Sequence, residues 1–215
     1  ALRAATDAVT LFGTAGSRRG EAKALSTVAA SHFLARKYAE ALRFSQMARE
    51  AWQETGMRRL EAAEVRAMAQ CHHVLNDHRQ MLQFAEESLA LCQQAKCNRE
   101  EAATLKIVVL ANVRNGNEDQ ALFLAQQAVL RFQAAGYARG QVAAQEALVY
   151  FHRATHDVQK SLAKADDALE LIRELGDARW EANMLMEVAE MHLDSGNHTE
   201  ALRAAEGALL DLEEL

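Results

Sequence analysis

The sequence predicts an all-α solenoid of antiparallel helix pairs, and three observations carry that prediction. The first is composition. The 215 residues include no proline and only ten glycines, and half are hydrophobic, while Ala, Leu, Glu, Arg and Gln, the strong helix formers, dominate. The second is an internal repeat of 40 residues, a signal to look for before any motif. Gly16, Gly56, Gly136 and Gly176 hold its register with Lys96 in the missing place. Glu21, Glu61, Glu101, Gln141 and Glu181 continue it, and Leu42, Leu82, Leu122, Leu162 and Leu202 form a column without exception. The third is the helical spacing of apolar residues inside each repeat.

The elements follow in order. Residues 1–14 read as a second helix whose partner is absent, and 15–55, 56–95, 96–135, 136–175 and 176–215 are full repeats of two helices each. First helices are expected near 18–35, 58–75, 98–115, 138–155 and 178–195, and second helices near 38–54, 78–94, 118–134, 158–174 and 198–213, about eleven in all. In the last repeat Ala182, Leu185, Val188, Ala189 and His192 mark the inward face of the first helix, and Ala201, Leu202, Ala205, Ala208, Leu209 and Leu212 that of the second. Gly196 and Gly176 supply the left-handed conformation that ends a helix. Columns of small residues, Ala41 with Ala121 and Ala201, then Ala85, Ala125, Ala165 and Ala205, let helix axes approach, with the Leu column filling the layer between repeats. No composition shift marks a boundary, so residues 1–215 read as a single solenoid. The alanine start and acidic end suit a piece of a longer protein.

The pattern A-x-x-H-x-x-x-G-N-x-x-E-A-L from Ala189 to Leu202, with small residues at Ala205 and Ala208, resembles the tetratricopeptide (TPR) repeat. The usual period of that family is about 34 residues, so this is its longer-helix variety. The block LIRELGDARWEA, Leu171 to Ala182, resembles LGN-type polarity scaffolds and, less closely, kinesin light chains. The resemblance implies a right-handed superhelix whose first helices line a concave groove, and a role in binding other proteins. The chain departs from the family in lacking its proline, in carrying Asn76 and His156 in place of the inter-helix glycine in the second and fourth repeats, and in placing Gln145 in a column of Leu25, Val65, Leu105 and Leu185.

Several function classes are excluded by what the sequence contains. Cys71, Cys92 and Cys97 are an odd set without CxxC spacing, which fits neither a disulfide framework nor a zinc site. Reduced thiols place the chain in the cytoplasm or another reducing intracellular compartment. No segment has the length and apolarity of a membrane span, and a net charge of −6 argues against general nucleic-acid binding. There is no phosphate loop, GxSxG elbow or HExxH, so no enzyme activity, cofactor or metal is expected. His32, His72, His152 and His192 share a column with Asn112. Successive repeats stand roughly 10 Å apart, too far to share an ion at about 2 Å, so the column is expected to make structural hydrogen bonds.

Arginine recurs at Arg19, Arg59, Arg99, Arg139 and Arg179, in the first turn of every first helix, where the dipole disfavours cations by roughly 0.3–1 kcal/mol. At about 100° per residue, Arg19 shares a face with positions 23, 26, 30, 33 and 34, turned from the core stripe. Over five repeats this face carries Lys23, Arg66, Lys106, Arg114 and Arg153 besides the arginine column, against only Glu146, Glu190 and Asp194. Phe33, Leu34, Val74, Leu110, Val113, Tyr150 and Leu193 add apolar surface. A basic, partly apolar groove suits a peptide carrying Asp or Glu with hydrophobic anchors. The candidate groove residues are therefore Arg19, Arg59, Arg66, Arg99, Lys106, Arg114, Arg139, Tyr150, Arg153 and Arg179. The competing account of the column is a ladder of ion pairs within or between repeats, such as to Glu21, Glu61, Glu101 and Glu181. The leading functional reading is a non-enzymatic scaffold. Beside it stand a structural subunit of a large assembly, the sensor arm of a signalling ATPase or transcription regulator, and binding of anionic lipid or RNA.

Overall fold

A computed structural model describes residues 2–213. Residue 1, expected in the first helix, and residues 214 and 215, expected at the end of the last repeat, lie outside the described residues. Eleven α-helices account for the described chain: α1 (Leu2–Thr14), α2 (Arg18–Leu34), α3 (Tyr38–Glu54), α4 (Arg58–Val74), α5 (His78–Gln94), α6 (Asn98–Arg114), α7 (Glu118–Ala134), α8 (Ala138–Ala154), α9 (Val158–Leu175), α10 (Ala178–Asp194) and α11 (His198–Glu213). The first helices end one residue earlier than spacing predicts, and α9 one later. Among the described residues no helix is long and apolar enough to cross a membrane.

The turns explain the regularity. Gly16, Arg36, Gly56, Asn76, Lys96, Gly116, Gly136, His156, Gly176 and Gly196, one residue in every twenty, have positive φ between 50° and 76°. At most of these turns two backbone bonds close a Schellman motif: at the α2–α3 turn, Arg36 N–H donates to the Phe33 carbonyl and Lys37 N–H to that of His32, both at 2.9 Å. Connections of three residues, or two between α9 and α10, then start the next helix. Asp77, Asp157 and Asp177 cap α5, α9 and α10 by accepting from the N–H groups of Gln80, Lys160 and Trp180 at 3.1–3.2 Å. Such a cap contributes about 1 kcal/mol.

The structure divides into two compact units, one ending at Asn115 and the other beginning at Gly116. In the first, each of α1 to α5 packs on the next, and α4 also meets α6. In the second, α7 to α11 pack in the same sequential way. The small-residue columns are buried at Ala41, Ala85, Ala125 and Ala165, as is a further column of Ala48, Ala128 and Ala168, all at most 1 % exposed, whereas Ala205 of the last repeat is half-buried. The Leu column is half-buried at Leu42, Leu82, Leu122 and Leu162 and exposed at Leu202. The bulk of the layer comes instead from Trp52, Cys92, Phe132 and Ile172, ten residues further on, all buried. Trp52 packs with Leu25, Ala48 and Ala51 in the first unit, and Ile172 with Val142, Val149 and Met184 in the second. Gly140 is needed beside this column, because a Cβ there would lie 2.6 Å from the Phe132 ring and 2.5 Å from Tyr137.

Candidate functional site

Helix geometry dictates which side chains share the outward face of each first helix, and the two units are taken in turn. In the first unit, Arg59 opens α4 and reaches Glu100 of α6 at 3.3 Å, while Arg66, two turns along α4, lies 4.0 Å from the same carboxylate. Glu100 therefore bridges two of the predicted cations. Arg19 on α2 and Arg99 and Arg114 on α6 are exposed and make no ion pair among the described residues. Lys106, exposed on α6, is electrostatically engaged. Of the predicted apolar lining, Leu34 is 83 % exposed and Val74 is exposed, but Leu110 is buried in its own unit.

In the second unit Arg139 of α8 meets Asp177 at 3.0 Å and lies over the Trp180 ring, 5.6 Å from its centroid. The Trp180 indole N–H donates to Glu146 at 2.6 Å, so one cation, one aromatic ring and two carboxylates lock together. Arg153 forks to Glu190 and Asp194 of α10, at 3.2 Å each. Those carboxylates neutralise Arg153 and leave Arg179 exposed and without an ion pair among the described residues. Tyr150 stands half-buried on α8.

The glutamate column two residues after the arginines serves other cations. Glu21 pairs with Arg18 at 2.9 Å, Glu61 with Arg58 at 3.1 Å and Glu181 with Arg173 at 2.6 Å. Where the arginine column does pair, its partner comes from the next repeat. Sequence reasoning missed Glu100 and Asp177 as those partners. Their signal is a carboxylate beside the first turn of the following first helix, about 40 residues on.

The histidine column departs from expectation. Among the described residues, the Nδ1 atoms of His32 and His192 are buried without a hydrogen-bond partner, that of His72 lies 3.4 Å from Asp77 Oδ2, and only the Asn112 side chain makes the expected kind of bond, donating to the Val108 carbonyl at 3.0 Å. His32 stacks on Phe44 at 5.3 Å and His72 on Phe84 at 5.4 Å between ring centroids. It is the backbone carbonyl of each column residue that accepts a hydrogen bond, from the turn that follows. The rings are packing groups because the i+12 position of the next helix carries an aromatic in those repeats. Among the described residues no cluster of three or more His, Cys, Asp or Glu is placed to hold a metal. Burial pushes the Cys71 thiol up to about 11 and that of Cys92 up to about 12, so neither is a ready nucleophile at neutral pH.

Comparison with known proteins gives the fold a context. BtubC (BKLC) from P. vanneervenii superposes with a TM-score of 0.75 at 12 % identity, over 99 % of this chain and 90 % of that one. The Rap conjugation gene regulator of plasmid pLS20, solved in complex with the Phr* peptide, gives 0.71 at 13 %, over 94 % and 56 %. A Podosopora anserina kinesin light chain with nearly identical TPR-like repeats gives 0.62 at 14 %, over 89 % and 95 %. The fold is TPR-like. No protein-family model matches the chain, and no curated protein does. At these identities the TPR-like likeness concerns the fold alone.

Proposed function

We propose that this TPR-like chain is a non-enzymatic scaffold that holds an acidic, partly apolar segment of a partner protein against the outward face of its first helices. One observation carries the reading: Arg19, Arg99, Arg114 and Arg179 are exposed cations without an internal counter-ion among the described residues, in a chain of net charge −6. Three of the four stand in a first helical turn, where the dipole makes a cation costly unless an anion approaches. A ligand carboxylate would offset that cost and form a charge-assisted, bidentate pair. Exposed Leu34, Val74 and Leu193 lie on the same helix faces and suit the apolar part of such a ligand. The pLS20 regulator, a neighbour in fold, was solved with a peptide bound, which supports a peptide as the class of ligand.

The test is selection from a displayed random-peptide library. Peptides combining Asp or Glu with hydrophobic anchors should be enriched, and the double variant R99E/R114E should weaken their capture roughly ten- to a hundredfold at unchanged helicity, as expected for losing one or two charged hydrogen bonds. Equal capture by the variant rejects the reading. A structural-subunit role has its own support in Phe123 and Leu130 of α7, which are 54 % and 60 % exposed on one helix face. Under that alternative, capture depends on α7 and ignores the arginines.

A further inference from the structure

In the first unit, α2, α3 and α4 line a half-open cavity of about 300 Å³. Its walls are largely apolar, with Ala29, Ala67 and Phe33 among them and the exposed Leu34 at its edge. Glu64 also lines it, 8 % exposed, beside Ser26 and the buried Ser45. No lysine or arginine lines the cavity, and Arg66, the nearest cation in sequence, turns to Glu100 at 4.0 Å. Burial holds the Glu64 carboxyl above its ordinary range, although Ser26, Ser45 and Trp52 and, more weakly, the charge of Arg66 pull it back.

The fold does not require a carboxylate at this place. The equivalent positions in the other repeats are Ala24, Thr104, Ala144 and Met184, all buried and none ionisable. A buried acid without a cationic partner destabilises a protein, so Glu64 calls for a function. We propose that this cavity is an anchor site for an aliphatic cation, the side chain of a lysine or arginine in a bound peptide, with Glu64 as counter-ion. A methylene stem matches the alanine walls and the terminal charge matches the acid among them. A purely apolar anchor would leave Glu64 with its neutral partners Ser26, Ser45 and Trp52 but no counter-ion, and an acidic anchor would meet like charge. The inference rests on the Arg19 face of α2, to which Ser26, Phe33 and Leu34 of the cavity wall belong, receiving the peptide proposed above, and it adds one basic anchor to that acidic ligand.

The two tryptophans provide the test. The Trp52 indole N–H donates to Ser26 Oγ at 3.2 Å, beside the cavity, whereas Trp180 lies in the other unit and serves as internal reference. The ¹⁵N-labelled protein is titrated with N-acetyl-lysine methylamide, its arginine counterpart and its norleucine counterpart. The cationic amides should shift the Trp52 indole resonance saturably at about tenfold lower concentration than norleucine amide, leaving Trp180 unmoved. In Glu64→Gln, which removes the acid without changing shape, the three compounds should become equivalent. No movement of Trp52, equal titration by norleucine amide in the wild type, or a cation preference retained in Glu64→Gln overturns the proposal. The R99E/R114E variant should titrate like wild type, so failure here and failure of the acidic-peptide reading are separately visible.

Discussion

His73 and His152 are the imidazoles that burial holds below their ordinary value. For His73 the neighbouring Arg114 and His78 add to the effect; for His152 Lys160 and Lys164 add to it and Asp157 opposes it. The unfolded chain takes up these protons near pH 6.5, whereas the folded chain does so only at lower pH. Between the two values the unfolded state binds more protons, so stability is intact above about pH 6.5 and falls as pH drops through the folded values. Glu64 runs the other way, because its raised folded value favours the native state on protonation. A difference measurement separates them. His152→Asn, which installs the residue the third repeat already carries as the buried Asn112, should lose Tm less steeply than wild type between pH 7 and 5. Parallel Tm profiles would remove His152 from the account.

At the level of the helix and its turn, the decisive feature is the left-handed residue in every twenty. Arg36 and Lys96 occupy it at φ 58° and 50°, both exposed. An L side chain there costs roughly 1–2 kcal/mol, and glycine gives back part of the gain through its freer unfolded chain. Arg36→Gly and Lys96→Gly should each stabilise by about 0.5–1 kcal/mol, read as a raised urea midpoint at constant m-value. The same feature marks what the sequence displays and what it hides. Asn76, His156 and the glycines advertise the turn, but Arg36 carries no such preference, and only its φ reveals it. The Leu column is conspicuous because it is uniform, yet the buried column is Trp52, Cys92, Phe132 and Ile172, whose mixed chemistry conceals a shared position. Likewise the arginine column is plain as a pattern. Which arginines stay unpaired depends on the reach of Glu100 and Asp177 from the following repeat, a distance that spacing alone does not supply.

Across the whole molecule, first and second helices are of nearly equal length, 17 residues in α8 and 18 in α9, and share one kind of turn but bury different faces. Second helices contribute the Ala165 and Ala168 columns, and first helices such as α8 contribute Val142 and Val149. Deleting residues 136–175 removes α8 and α9 together and rejoins Ala135 to the Gly176 turn, so every remaining helix meets a neighbour of the kind it met before. Deleting 136–155 removes α8 alone and sets α7 against α9, two second helices whose alanine columns then lack their partner. The longer deletion should keep a cooperative thermal transition, lower only by the lost nearest-neighbour terms. The shorter one should broaden or abolish it in circular dichroism.

The regular turn also bears on how such a gene can change. Adding a single residue within a helix rotates everything beyond it by about 100°, carrying the buried alanines out to solvent and charged side chains inward. A substitution disturbs one position, whereas a one-codon insertion disturbs a whole face. The ten left-handed residues thus act as a second reading frame, counted in amino acids where the first is counted in bases. That frame gives a physical reason for the 40-residue spacing to run through five repeats without a slip, while the residues between its fixed points diverge.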